Sequence, residues 1–238
     1  MEPWTIVVVL LAVATAFTVS AAAGFGGSLI LVPALALLLG TKAGVTLAAL
    51  LLAGNNVVKV FAYRRTLPIR RSIPVVLLIA LGAFLGARLF VATPENVVTI
   101  VVIVTFLVAF LLESLELKRS RRVSTPVLAF ASGATSGFGG TSGPLKGLAV
   151  RSLDLDRLHL VGALSIASLV GDVTKTAVWT EATLLGRAEY LTALVCVPLM
   201  FVATFLGRRL NSVVGERGFT RLFWAVMVGY TGRLVAGF

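Results

Sequence analysis

Long apolar runs separated by short polar segments make up most of this chain. Three shorter apolar runs cover 29–39, 126–136 and 142–150. The longer runs cover 4–23, 44–63, 74–92, 97–112, 158–180, 190–207 and 219–238. A transmembrane helix needs about 20 predominantly apolar residues, and most of the longer runs approach or exceed this length. The pattern therefore predicts an all-α polytopic integral membrane protein.

Composition agrees with a membrane location. Of the 238 residues, 58% are hydrophobic and only 13% are charged, and the mean hydropathy is +1.01. A soluble domain of this size needs far more charged residues to cover its surface. The 21 Lys and Arg outnumber the 10 Asp and Glu. Most of this excess lies in short loops, where it orients the chain in the membrane and contacts anionic lipid rather than nucleic acid.

Two short glycine-rich stretches interrupt the apolar sequence. They are Gly24-Phe25-Gly26-Gly27-Ser28 and Gly137-Phe138-Gly139-Gly140-Thr141. A glycine in a helix interior costs about 1 kcal/mol relative to alanine, and each stretch has three glycines in four residues. Each stretch therefore predicts a break between two helices.

Three landmarks recur in the same order in both halves. The second glycine stretch follows the first by 113 residues. Asn56-x-x-Lys59 has a counterpart in Asp172-x-x-Lys175, 116 residues later, and the pattern Phe84-Leu-Gly-x-Arg-Leu returns at Phe205, 121 residues later. We interpret this as an internal duplication, with a first repeat over 1–113, a basic cytoplasmic linker over 114–124 and a second repeat over 125–238.

Loop charge predicts how the chain crosses the membrane. The most basic loops, 64–71, 118–122 and 208–221, belong in the cytoplasm, which requires 126–150 to enter and leave on the same side. A straight helix of that length measures about 37 Å, too short for two crossings. The sequence therefore favours two inverted-topology repeats, each a re-entrant, glycine-broken helix pair followed by three transmembrane helices. One kinked helix per repeat, with parallel repeats, stays open as the alternative.

The glycine stretches are also candidate anion sites. A helix that begins after a break presents unpaired backbone N–H groups and the positive end of its dipole. Ser28, Thr141 and Ser142 lie at cap positions and add hydroxyl donors, whereas Phe25 and Phe138 pack or gate the break. The alternative is that the glycines only allow close helix packing. The predicted substrate site includes Gly24, Phe25, Gly26, Gly27, Ser28, Gly137, Phe138, Gly139, Gly140, Thr141 and Ser142.

Five further polar residues lie inside apolar runs: Asn55, Asn56, Lys59, Asp172 and Lys175. Polar residues are costly in lipid and are candidate functional residues. We assign the two asparagines and the two lysines to the substrate site, and Asp172 to coupling by a proton or sodium ion. Lys59 has no carboxylate at i−3, but it could also snorkel to the basic loop. Asp172 and Lys175 share a helix face and could simply neutralise each other.

Several function classes are disfavoured. The single cysteine, Cys196, cannot form an intrachain disulfide, and the single histidine, His159, excludes most metal sites and histidine-based catalysis. We therefore expect no enzyme activity, no metal and no cofactor. No Lys or Arg precedes the first apolar run, so we expect that run to be retained rather than cleaved as a signal peptide.

The Gly-Phe-Gly-Gly stretch early in each half, the duplicated halves and the basic central loop resemble the sulfite exporter TauE/SafE family of bacterial membrane proteins. The resemblance implies transport of small sulfur-containing anions, such as sulfite or organosulfonates, often outward, in the bacterial plasma membrane. We expect alternating access around the two stretches, with an anion channel or an importing small-anion permease as alternatives. The two half-sites are not equivalent, because Pro33 corresponds to Lys146. The sequence leaves open the anion, direction, coupling ion and oligomeric state, a homodimer included.

Overall fold

The structure is a computed structural model that describes residues 3–23, 27–114, 124–141 and 143–209. These residues form a 3-10 turn, Arg64–Thr66, and nine helices. The helices are α1 Pro3–Ala23, α2 Gly27–Leu39, α3 Thr41–Ala62, α4 Ile69–Ala92, α5 Glu95–Ser114, α6 Thr125–Gly139, α7 Gly143–Arg151, α8 Arg157–Glu181 and α9 Arg187–Arg209. The all-α prediction is confirmed for this part of the chain. The predicted last span, 219–238, and linker residues 115–123 lie outside it.

Helix lengths and surfaces fit a membrane protein. Over the described ranges, three helical segments are long and apolar enough to cross a membrane: Thr41–Phe61, Ile69–Ala92 and His159–Glu181. Shorter apolar segments are Val7–Thr18, Gly27–Leu39 and Glu95–Val108. One face of α4 exposes Leu77, Leu81, Leu85 and Leu89. A continuous apolar face of this kind suits lipid and not water.

The chain divides into two compact units, and the boundary falls within α3. The first unit comprises residues 1–55 and 184–238. Within it α1 packs against α2 and α9. Its core includes Val9, Val13, Ala16 and Phe17 from α1 and Cys196, Met200 and Ala203 from α9. Each unit therefore combines helices from both halves of the sequence.

The second unit, residues 56–183, is built around close packing of α4 on α6. A Cβ atom added to Gly82 would lie 2.2 Å from the carbonyl oxygen of Phe130, and one added to Gly133 would lie 2.2 Å from that of Ile79. One turn further along each helix, a Cβ atom added to Gly86 would meet the carbonyl oxygen of Ala134, and one added to Gly137 would meet that of Ala83. Both helices thus carry a small-xxx-small pattern, which lets their backbones touch.

Helix α8 runs parallel to α4 in the same unit. Near its start, Gly162 lies against Thr66, which precedes α4. At its other end, Glu181 forms an ion pair with Arg88 of α4, with a nitrogen to oxygen distance of 2.8 Å. A cavity of about 580 Å³ lies at the starting end, lined by residues 67–71 together with Asp154, Leu155, Asp156 and His159. The basic loop 64–71 and the connector 151–157 therefore share one end of the unit.

Helices α6 and α7 form a hairpin. The hydroxyl of Thr125, the first residue of α6, donates to the hydroxyl of Ser152, which follows α7, over 2.7 Å. The hairpin therefore returns to the end at which it begins. This is the geometry that a re-entrant segment requires.

Candidate functional site

The second glycine stretch ends α6, although not at its first glycine. Gly137 and Gly139 are still helical, and the left-handed residue is Gly140, with φ 79°. Glycine adopts this conformation without a Cβ penalty and commonly ends helices in this way. The N–H of Gly140 donates to the carbonyl oxygen of Ser136 over 2.9 Å. The predicted break therefore exists, three residues later than Gly137, and Thr141 is buried within it.

Gly137 remains helical because it packs against α4. A Cβ atom at this position would lie 2.2 Å from the carbonyl oxygen of Ala83. Close packing offsets the poor helix propensity of glycine, so this residue has the packing role that the sequence left open as an alternative. Phe138 also packs, with its ring edge-on to Phe90 at a centroid distance of 6.2 Å.

The first glycine stretch separates α1, which ends at Ala23, from α2, which begins at Gly27. The predicted break itself falls on residues 24–26, which lie outside the described ranges, so it stays a prediction. Ser28 lies in the first turn of α2 and is half-buried. Gly24, Phe25, Gly26 and, from the second stretch, Ser142 lie outside the residues that the structure describes. Their assignment to the substrate site stays a prediction.

Lys175 of α8 holds the C-terminal end of α6. Its ammonium group is fully buried and lies 3.1 Å from the Ser136 hydroxyl oxygen and 3.2 Å from the carbonyl oxygen of Gly140. The end of a helix presents unpaired carbonyls and the negative end of its dipole, both of which a cation stabilises. Lys175 therefore fixes the backbone at the break.

Asp172 joins this contact to α3. One of its carboxylate oxygens forms an ion pair with the Lys175 ammonium group over 2.7 Å. The other accepts a hydrogen bond of 2.7 Å from the side-chain amide of Asn56. Both the carboxylate and Asn56 are buried. The interaction at i, i+3 that the sequence suggested is thus present, within a network that links α3, α6 and α8. Asn55 is buried in α3 within the first unit.

Two further lysines approach this network. Lys59 lies one turn after Asn56 in α3, and Lys146 lies in α7 and donates a 3.0 Å hydrogen bond to the hydroxyl of Ser168 in α8. Ser168 lies four residues before Asp172 in α8, so the Lys146 contact is one helical turn from the carboxylate. Both Lys59 and Lys146 are half-buried. One carboxylate therefore has one lysine paired with it and two more attached within a helical turn of its network, an excess of positive charge that favours binding of an anion.

Lys146 and Ser168 were not among the sequence-predicted site residues. The sequence does contain a feature that points to Lys146: it is the one charged residue in the apolar run 142–150, and an ionisable residue at membrane depth is a functional candidate. Its contact with Ser168 depends on how α7 packs on α8, which the pattern of apolar residues does not reveal.

The sulfite exporter TauE/SafE family model matches residues 8–234, nearly the whole chain. The match includes both glycine stretches and the entire cationic network. Searches of curated proteins and of solved structures gave no significant match. Members of the matched family are multi-pass membrane transporters of sulfur-containing anions and not enzymes. The chain belongs to the sulfite exporter TauE/SafE family.

Proposed function

We propose that this protein exports sulfite or small organosulfonates across the bacterial plasma membrane by alternating access around its glycine breaks. The observation that carries the proposal is the placement of a helix break directly beside a partly buried group of lysines. The break is formed by Gly140 and Thr141, and Lys175 contacts it directly. A small anion needs this combination of positive charge and polar donors inside a low-dielectric surround.

The α6–α7 hairpin is the proposed re-entrant segment. Helix α6 has 15 residues, so it is about 22 Å long and ends short of a hydrocarbon core about 30 Å thick. Non-helical backbone at that depth is tolerated only where protein buries it or a polar cavity meets it. Gly140 and Thr141 are buried, and Lys175 satisfies the carbonyl of Gly140. These contacts support a stable break within the membrane.

Matching buried faces on α4 and α9 support the proposed duplication. The sequence offset of 121 residues that relates Phe84 to Phe205 also relates three buried pairs: Val75 to Cys196, Ile79 to Met200 and Gly82 to Ala203. In addition, α4 packs against α6, and α9 packs against α1, the counterpart of α6 by repeat. Inverted repeats of this type carry broken helices in many secondary transporters.

We assign different roles to the charged residues of the site. Lys59 contributes positive charge to substrate binding, because none of the described residues forms an ion pair or hydrogen bond with its ammonium group. Lys175 shapes the site through its contact with Gly140. Asp172 is the proposed coupling group, since a proton or sodium ion on its carboxylate would weaken the ion pair with Lys175 and thereby loosen the break.

Transport in proteoliposomes tests the proposal. We expect saturable movement of labelled sulfite or sulfoacetate by the purified protein, increased by a pH or sodium gradient, with protein-free liposomes as the control. If none of sulfite, sulfoacetate or sulfate moves, and none raises the Tm of the protein, the proposed substrate class is wrong. Unitary conductance steps in a planar bilayer would instead favour an anion channel.

A further inference from the structure

Asp172 and Lys175 already have partners for both carboxylate oxygens and for the ammonium group. One carboxylate oxygen is paired with Lys175 and the other with Asn56. The Lys175 ammonium group has three hydrogens, and it contacts Asp172, the Ser136 hydroxyl and the carbonyl of Gly140. Each carboxylate oxygen of Asp172 thus has a partner, all three hydrogens of Lys175 have acceptors, and the charges of the pair offset each other. The charges of the two other lysines are not offset within this pair.

Lys59 and Lys146 are the two cations that remain. Lys59 lies one turn after Asn56, which binds Asp172, and Lys146 binds Ser168, which lies one turn before Asp172 in α8. Among the residues that the structure describes, neither forms an ion pair. Two like charges that are both partly removed from water raise each other's energy. A ligand that carries two negative charges would offset the repulsion between these two lysines.

Ser168 gives this pair of lysines a polar partner of suitable chemistry. Its hydroxyl accepts a 3.0 Å hydrogen bond from Lys146, and its own hydrogen remains free to donate to an oxyanion. Ser168 also lies one turn before Asp172 in α8, so both face the same side of that helix. Two ammonium groups and a hydroxyl can all donate to the oxygens of a compact oxyanion.

We propose that Lys59, Lys146 and Ser168 form the charge-selecting part of the substrate site and that they select dianions over monoanions of similar size. This inference rests on the proposed transport function. It separates substrates by charge: the dianion of sulfite, or a sulfonate that also carries a carboxylate, is favoured over a simple alkylsulfonate. Duplication does not account for Lys146, because its counterpart in the first half is Pro33.

Competition between matched anions tests the selection. Purified full-length protein is assayed by thermal shift and by inhibition of transport in a buffer alkaline enough to keep sulfite as its dianion, with sulfite and sulfoacetate as dianions and methanesulfonate as the monoanion. We expect wild-type protein to bind the dianions about tenfold or more tightly than methanesulfonate. Lys146→Gln is expected to weaken dianion binding by about tenfold and methanesulfonate binding by no more than about threefold.

Three further variants make the result unambiguous. Lys146→Arg keeps the charge and is expected to keep the preference for dianions, whereas Lys42→Gln, at the start of α3, is the matched control for loss of a lysine elsewhere. Lys59→Gln tests the same ratio if Lys146→Gln fails to fold. An unchanged ratio in the folded variants, or equal weakening for both anion classes, overturns the proposal while leaving transport intact. Failure of wild-type protein to transport any of these anions overturns the proposed function instead, and the binding ratios still decide the charge selection.

Discussion

The Lys175 ammonium group lies 3.2 Å from the carbonyl oxygen of Gly140, 35 residues away in sequence. This contact links the ion pair in α8 to the residue at which α6 ends. Because the same ammonium group is paired with Asp172, which binds Asn56, a change in the charge of Asp172 would reach the helix break through a single side chain. The stability of the protein and the proposed coupling of a proton or sodium ion to transport are therefore expected to depend on the same buried atoms.

Lys175→Met is expected to be strongly destabilising. It leaves the buried Asp172 carboxylate without its cation, and removal of one member of a buried ion pair typically costs about 3–5 kcal/mol. The free energy of unfolding in detergent, measured by denaturant titration, checks this. The double variant Lys175→Met with Asp172→Leu should recover part of the loss, because no uncompensated charge remains. A double variant with the summed loss of its two single variants would argue against the pairing.

Gly137→Ala is expected to destabilise the second unit, because its added Cβ would clash with the backbone of α4 at Ala83. Overpacking of this kind typically costs about 1–3 kcal/mol. Gly147→Ala, in α7, is the matched control. No heavy atom lies within 4 Å of a Cβ at that position, so alanine should stabilise α7 by about 0.5–1 kcal/mol. Thermal unfolding of both variants in the same detergent compares them, and equal Tm values would rule out tight α4–α6 packing.

The sequence predicted the helices of the described ranges well, because each long apolar run up to residue 209 corresponds to one helix. It also placed Asp172 and Lys175 on one face, since that relationship is local. It could not predict that Asn56 would reach Asp172, because this contact joins residues 116 positions apart. The sequence placed the break within 137–141 but not at one residue of it, for a similar reason: packing on α4, a distant segment, offsets the cost of a helical Gly137, so α6 ends only at Gly139.

Gly140→Ala is expected to cost about 1–2 kcal/mol, because a residue with a Cβ atom is strained at the φ of 79° found there. Gly140→Asn should be tolerated better, since asparagine enters the left-handed region more readily. The two variants share loss of the glycine and differ in their tolerance of this φ. Comparison of their unfolding free energies tests the assignment, and an alanine variant as stable as wild type would contradict it.

Cysteine labelling tests the re-entrant topology of α6–α7. In a Cys196→Ala background, single cysteines are introduced at Arg70, Arg151 and Glu181, all of which are exposed. Because the basic loop and the end of α7 share one end of the second unit, we expect an impermeant maleimide to label positions 70 and 151 only from the cytoplasmic side. Glu181 lies at the other end of α8, beside Arg88, so position 181 should react only from outside. Labelling of position 151 from outside, with position 70 still labelled from inside, would show that α6–α7 crosses the membrane and would reject the re-entrant hairpin.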